Sequence, residues 1–446
     1  MTEPRSIDVL VAEIGSTTTS VSAFDDLSDW PDSRPEFIGQ GVAPTSVVEG
    51  DVGIGLETAR TALEASVGAL DPALTLATSS AAGGLRMTVH GLTQKMTAMA
   101  AREAALGAGA VVRYQTAGKM YDHDLVEIEA VRPNLVLLAG GVEGGDADTV
   151  LFNARRLTEL QVRPVVVYAG NSVVAPEARA ILETAGFTVR VTHNVYPSVD
   201  ELDILPARAV IHDAFEEHIT HAPGMERIGE FVTGAILPTP GAVLIAAEVL
   251  AAAVGDLVIV DVGGATTDVH SVTDGSPEIA AMSADVQPHA KRTVEGDLGT
   301  YISAAYVAEL LAEGERPDEL PPALPMTPSE IESAALLARA ATVTAVTRHA
   351  GRLAYLYTPT GRKTVARGRD LTACRLVIGT GGALVRLPGG ESALAATLGG
   401  PEEYLLPPAD ARVALDADYI FACCGALSRH FAHDAVVALM RASAGL

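Results

Sequence analysis

An apolar run from Ile7 to Ile14 breaks at Gly15, resumes over residues 20–24 and again over Glu36–Ser46. That pattern predicts three antiparallel strands, the first two joined by a hairpin about the glycine. Val52–Val67 then carries helical spacing, and Leu74–Ser79 reads as a buried strand. Further on, short apolar runs near 111–115, 135–139, 165–169 and 187–191 alternate with helical patterns near 93–107, 148–160 and 174–185, the rhythm of layered α/β structure. The longest apolar stretch, Gly241–Val254, is interrupted by Glu248 and too short to span a bilayer. It predicts a buried helix ahead of a second hairpin at 257–272. Prolines and acids crowd Glu313–Pro328, which predicts a surface linker, and helical spacing resumes over 329–356.

With 446 residues the chain is larger than one growing hydrophobic core allows, so more than one domain is expected. The division predicted is a first lobe over 1–84, an additional α/β module over 85–225, and a second lobe over 226–446. Hydrophobic residues make up 48% and aromatics only 4%, which disfavours base-stacking grooves. A formal charge of −25 repels a phosphate backbone, so neither nucleic acid nor an anionic membrane is an expected partner. Three cysteines, Cys374 and the adjacent Cys423 and Cys424, make neither a disulfide framework nor a zinc cluster. The reducing cytoplasm is the expected compartment, and no signal peptide is read at the N-terminus.

The chemistry concentrates where apolar strands stop. The first strand ends in Glu13-Ile14-Gly15-Ser16-Thr17-Thr18, and Val258–Val262 ends in Asp261-Val262-Gly263-Gly264-Ala265-Thr266-Thr267-Asp268. A glycine turn between two strands lets amide N–H groups approach phosphate oxygens, neighbouring hydroxyls add donors, and the strand-end carboxylate can hold a hydrated Mg²⁺. Gly15, Ser16, Thr17 and Thr18 are thus candidates for one side of a triphosphate, and Gly263, Gly264, Thr266 and Thr267 for the other. Glu13 and Asp261 are the metal candidates. One of these two, or Asp268, would orient an attacking water, with Asp261 favoured. A third glycine cluster, Gly379-Thr380-Gly381-Gly382, follows the apolar strand 375–378 and would pass along a nucleotide's sugar and base. Two related lobes closing over one nucleotide are therefore expected.

In this order the three segments resemble the phosphate-one, phosphate-two and adenosine motifs of the actin, hexokinase and heat-shock ATPase superfamily. Within it, the chain is most similar to the MutL (GlmL) accessory proteins of adenosylcobalamin-dependent glutamate mutase, which are unrelated to the mismatch-repair protein of that name. The likeness extends through residues 78–87, 138–146 and 292–299 and loosens after Asp418. It implies two ribonuclease-H-like lobes, ATP and Mg²⁺ as ligands, mutase subunits as partners, and ATP hydrolysis that drives reactivation of the mutase. It also implies that Glu295, placed at the start of a helix, contacts the ribose. A small-molecule kinase or ATP-dependent hydrolase and an actin-like assembly protein are the alternatives, and a homo-oligomer is left open. One departure stands out: the superfamily presents Asp at the first strand end, where this chain has Glu13.

Other signals favour structure over chemistry. Asp146 or Asp148 after the glycines at 140–145 reads as a helix cap, and Arg86 beside Gly83 and Gly84 as a solvated or paired arginine. His212, Glu216, His218 and His221 read as a solvated helical face, because no third ligand follows at a metal spacing.

Overall fold

The computed structural model describes residues 3–81, 85–219, 222–358 and 361–446. Gly83, Gly84 and His221 lie outside the described residues. The chain forms two compact units, one of Met1–Thr78, Arg227–Ala235 and Ala242–Leu446, the other of Ser79–Glu226 and Ile236–Gly241.

The first unit opens with strands β1 (Arg5–Ile14), β2 (Thr18–Asp25) and β3 (Glu36–Pro44), an antiparallel ribbon. Helix α1 (Val52–Val67) starts where the Asp51 carboxylate accepts the Gly53 amide at 2.8 Å, and it buries Leu56, Ala59 and Leu63. Strand β4 (Leu70–Ser79) then returns beside β1, so the neighbours run β4-β1-β2-β3.

The second unit alternates β5 (Arg86–Gly91), α2 (Thr97–Gly107), β6 (Val111–Ala117), α3 (Asp122–Val131), β7 (Leu135–Leu138), α4 (Asp148–Leu157), β8 (Val165–Tyr168), α5 (Ala175–Thr184), β9 (Val189–Val191) and α6 (Leu205–Ile219). Its sheet, β6-β5-β7-β8-β9, is entirely parallel. Such strands are covered on both faces and read as unbroken apolar runs, which is why Leu135–Leu138 is fully apolar. Val136, Leu138, Val166 and Tyr168 meet Ala154, Leu157 and Leu182 in its core. Sequence patterning had offered neither β5 nor α3.

After the short strand β10 (Ile236–Pro238), helix α7 (Thr239–Val254) leads into the rest of the first unit. There follow β11 (Leu257–Val262), β12 (Thr267–Val272), α8 (Pro277–Ala280), β13 (Ala290–Glu295), α9 (Ala304–Glu309), α10 (Pro328–His349) and the hairpin β14 (Arg352–Thr358) and β15 (Gly361–Arg367). The chain ends with β16 (Leu376–Thr380), α11 (Gly382–Val385), α12 (Gly390–Ala395), β17 (Arg412–Leu415), α13 (Phe421–Leu427) and α14 (His433–Ser443). The sheet β13-β12-β11-β16-β17 is mixed: β11, β12 and β13 are antiparallel, while β16 is parallel to β11 and β17 to β16. Val258, Val260 and Val377 pack on Leu337, Ala341 and Ala345 of α10.

Both sheets of the first unit are thus wound alike. Three antiparallel strands are followed, after a crossing helix, by a strand laid beside the first. Two expectations are corrected. Helical spacing predicts a helix through residue 356, but α10 stops at His349 and the alternating Leu353-Ala354-Tyr355 belongs to β14. Glu295 ends β13 instead of starting a helix, and the next helix begins at Ala304. Among the described residues, no helix is long and apolar enough to cross a membrane.

Candidate functional site

The two hairpins place like groups at like positions. In the first, Glu13 faces Ser20 across β1 and β2, and the Gly15 amide donates to the Thr18 carbonyl at 2.9 Å. In the second, Asp261 faces Asp268 across β11 and β12, and the Gly263 amide donates to the Thr266 carbonyl at 2.9 Å. Each turn is held from behind through its carbonyls. Thr45 donates its amide to Thr17 (3.0 Å) and its hydroxyl to Gly15 (2.8 Å). Thr300, Tyr301 and Ile302 donate their amides to Gly263 and Gly264 at 2.8–3.1 Å, and the Ser303 hydroxyl donates to Ala265 at 3.2 Å.

The third turn meets the second directly. Thr380, the last residue of β16, lies in register with Asp261, and Gly381 follows with φ +86°. A Cβ on Gly381 would stand 2.4 Å from Asp261 Oδ1 and 2.5 Å from the Val262 carbonyl, so only glycine fits. A Cβ on Gly382 would meet nothing within 4 Å. Gly379 is different: it lies within β16, and its Cα faces Leu384, Leu394 and Leu415 in the core.

Four carboxylates gather around these turns. Asp268 is buried and paired with buried Arg292 of β13, whose Nη2 and Nε reach Oδ1 at 2.6 and 2.7 Å. Asp261 retains some accessible surface, yet it is densely surrounded. Desolvation first, then the charges of Asp268, Glu13 and Asp416, push its carboxyl up to about 8, against the pull of Arg292. Glu13 is raised to about 7, mainly by burial, against the hydrogen bond it accepts at Oε1 from the Tyr419 hydroxyl at 2.9 Å. Asp416, just past β17, is pushed up by burial while accepting from Ser443 (2.6 Å), Thr380 (2.9 Å) and the amides of Ile420 and Phe421 (3.0 Å each).

Two buried polar atoms at the first strand end have no hydrogen-bond partner: Glu13 Oε2 and Ser20 Oγ, on residues that face each other. Buried oxygens left unpaired are costly, and they suit a water or hydrated cation. The donor set, carboxylate and hydroxyl oxygens, fits Mg²⁺.

Of the residues singled out from sequence, Glu13, Gly15, Ser16, Thr17, Thr18, Asp261, Gly263, Gly264, Thr266, Asp268, Gly381 and Gly382 all belong to these turns and strand ends. Thr267 does not offer its hydroxyl, which is buried and donates to the Leu298 carbonyl at 2.5 Å. Glu295 is tied with Asp297 to Arg348 at 2.8 Å. Sequence reasoning gave no site role to Arg292, Tyr419, Asp416, Thr45 or Thr300. Only Asp416 carried a local signal, since it too is a carboxylate ending an apolar strand.

Asp146 Oδ1, just ahead of the N-cap Ala147, accepts the Thr149 amide of the first turn of α4 at 3.0 Å. Arg86 is exposed, and the three cysteines are buried thiols. No group of three or more His, Cys, Asp or Glu side chains that could hold a metal occurs among the described residues, and the expected solvated face is corrected at His212, which is buried on α6.

Fold and site together define an α/β protein with mixed and parallel sheets, in which two like-wound hairpins carry strand-end carboxylates, the charge of Glu13 acting on Asp261. The chain belongs to the MutL family: the family model described as MutL protein matches residues 9–443. Protein MutL of Clostridium tetanomorphum is 36% identical over 96% of this chain and 97% of its own length. Similar solved structures include a nucleotide-free acetone carboxylase (10% identity, 94% of this chain and 70% of that chain, TM-score 0.39). Others are the Aquifex aeolicus PPX-GPPA enzyme (11%, 99% and 91%, TM-score 0.22) and a carbohydrate kinase from Novosphingobium aromaticivorans (11%, 98% and 91%, TM-score 0.25). Scores this low say nothing further about the chain.

Proposed function

We propose that this chain is an ATP-binding and ATP-hydrolysing accessory protein, a cytoplasmic reactivase-type chaperone for an adenosylcobalamin-dependent mutase such as glutamate mutase. On this reading the like-wound sheets are two ribonuclease-H-like lobes of the actin, hexokinase and heat-shock type. The observation that carries it is the likeness of the hairpins, Glu13 with the Gly15 turn and Asp261 with the Gly263 turn, and the nearness of the two carboxylates, the charge of Glu13 helping to raise the proton affinity of Asp261.

The turn carbonyls are held from behind, the Gly15 and Gly263 amides close their own turns, and the Thr266 hydroxyl donates to Asp268 Oδ2 at 3.3 Å, so what the turns have left to offer an anion is their remaining amides and the hydroxyls of Ser16, Thr17 and Thr18. Mg²⁺, held through water by Glu13 and Asp261, would neutralise charge on the phosphates. Asp261, at the end of β11 beside the Gly263 turn, would orient the attacking water. Asp268 is committed to Arg292 and acts by fixing the charge opposite Asp261. Closure and opening of the lobes would pass the nucleotide state to the partner. The mutase as that partner rests on the resemblance to the accessory proteins of glutamate mutase.

The test is steady-state hydrolysis of Mg-ATP by the full chain, alone and with an inactivated adenosylcobalamin mutase. Slow basal turnover that rises several-fold with the mutase supports the proposal. Transfer of phosphate to a metabolite, or no response to any such mutase, overturns it.

A further inference from the structure

Glu13 stands where a shorter acid is expected, and its extra methylene reaches something specific. The Tyr419 hydroxyl donates to Oε1 at 2.9 Å, while Oε2 stays buried and unpartnered opposite the equally unpartnered Ser20 Oγ. An aspartate here would fall short of the tyrosine by about 1.5 Å, one carbon–carbon bond.

Tyr419 is itself held with care. It adopts φ +52°, a left-handed conformation that a bulky residue keeps only when its surroundings impose it. Asp416 imposes it by gathering the amides of Ile420 and Phe421 on one side of the turn, while the Tyr419 amide donates to the Asp416 carbonyl at 2.9 Å. The Arg386 guanidinium sits 5.6 Å from the centroid of the tyrosine ring and donates to Gln40 Oε1 at 3.0 Å. Gln40 in turn donates to Ser22 at 3.0 Å and to the Tyr419 carbonyl at 3.5 Å. Arg386 directly follows α11, and Thr380, which binds Asp416, directly precedes Gly381. One polar chain therefore runs from the third glycine turn through Tyr419 to the carboxylate of the first.

We propose that Tyr419 is a positioning residue for Glu13: it takes one carboxylate oxygen, fixes the side chain, and so aims the other oxygen at the cation side of the site. Glu13 and Tyr419 then work as a pair that replaces the aspartate of related sites. The inference rests on the nucleotide reading above. A second hydrogen bond that fixes a ligand's orientation contributes roughly 10- to 100-fold to metal affinity or activity.

The experiment is a double-mutant cycle on the full chain with Tyr419→Phe, Glu13→Gln and the double variant, plus Glu13→Asp. Two quantities are read: the hydrolysis rate, and the calorimetric dissociation constant of ATP in Mg²⁺ and in chelator. Tyr419→Phe is expected to lower kcat about 10- to 100-fold and to shrink the Mg²⁺-dependent gain in ATP affinity about tenfold, leaving affinity in chelator within twofold. Placed on Glu13→Gln, it is expected to change both by less than twofold. Glu13→Asp should behave like Tyr419→Phe, which also serves if the phenylalanine variant does not fold. Losses that multiply in the double variant, equal losses with and without Mg²⁺, or a fully active Glu13→Asp overturn the pairing. A wild-type chain that hydrolyses no ATP overturns the nucleotide reading and this inference with it.

Discussion

Gly382→Ala separates what the fold needs from what a nucleotide needs. Gly382 is the first residue of α11, its φ is not left-handed, and a Cβ there would meet nothing within 4 Å. In the free chain the substitution removes backbone entropy from the unfolded state and should stabilise by up to about 1 kcal/mol. For a unit of this size that is a rise of roughly 1–3 °C in Tm. With adenosine lying along the turn, the same methyl enters the ligand's space. Overpacking of that kind costs about 1–3 kcal/mol, which weakens ATP binding roughly 5- to 150-fold. Differential scanning fluorimetry without nucleotide and calorimetry with Mg-ATP read the two effects on one sample. Opposite signs are expected. Tm raised with unchanged ATP affinity would show that the turn does not face the nucleotide. Gly381→Ala is the contrast: with φ +86° and a Cβ 2.4 Å from Asp261, it should lose both stability and affinity.

Asp261→Asn should lower hydrolysis at least about 100-fold while stabilising the free chain at alkaline pH. The sign follows from a folded value near 8: the unfolded carboxyl ionises first, so stability from this group is lost as pH rises from about 4 to 8, and Asn removes that loss. Melting curves at pH 5 and pH 8 check it. His90, fully buried between Thr88 and Thr116, is depressed to about 3 by burial, so the folded chain binds fewer protons than the unfolded one and loses stability as pH falls from about 6.5 toward 3. The loss should reach about 2 kcal/mol at pH 5 and shrink in His90→Gln, measured by urea unfolding. Arg292→Met leaves Asp268 buried without that guanidinium and should destabilise by about 3–5 kcal/mol, read as a lower urea midpoint.

The hairpins were legible because the chain states them locally: an apolar run, a carboxylate, a glycine and hydroxyls lie within a dozen residues. Periodicity alone could not separate 350–356 from the helix before it, since Leu353 and Tyr355 suit either period over so short a span. Strand β5 escaped because Arg86–Gly91 offers six residues beside a run of glycines. What the sequence could not place is what depends on register. Nothing near Asp268 announces Arg292, which reaches it only because β13 pairs with β12, and Tyr419 lies 406 residues from the carboxylate it holds. Thr267 shows the converse: it sits in the quoted turn, yet its hydroxyl faces inward.

The decisive question is whether the distant turns grip one ligand. A crystal structure of the full chain with Mg²⁺ and a non-hydrolysable ATP analogue tests this most directly. The predicted result is a triphosphate between residues 15–18 and 263–266, with the adenosine along Gly381 and Gly382. A nucleotide bound elsewhere, or none at millimolar concentration, contradicts it.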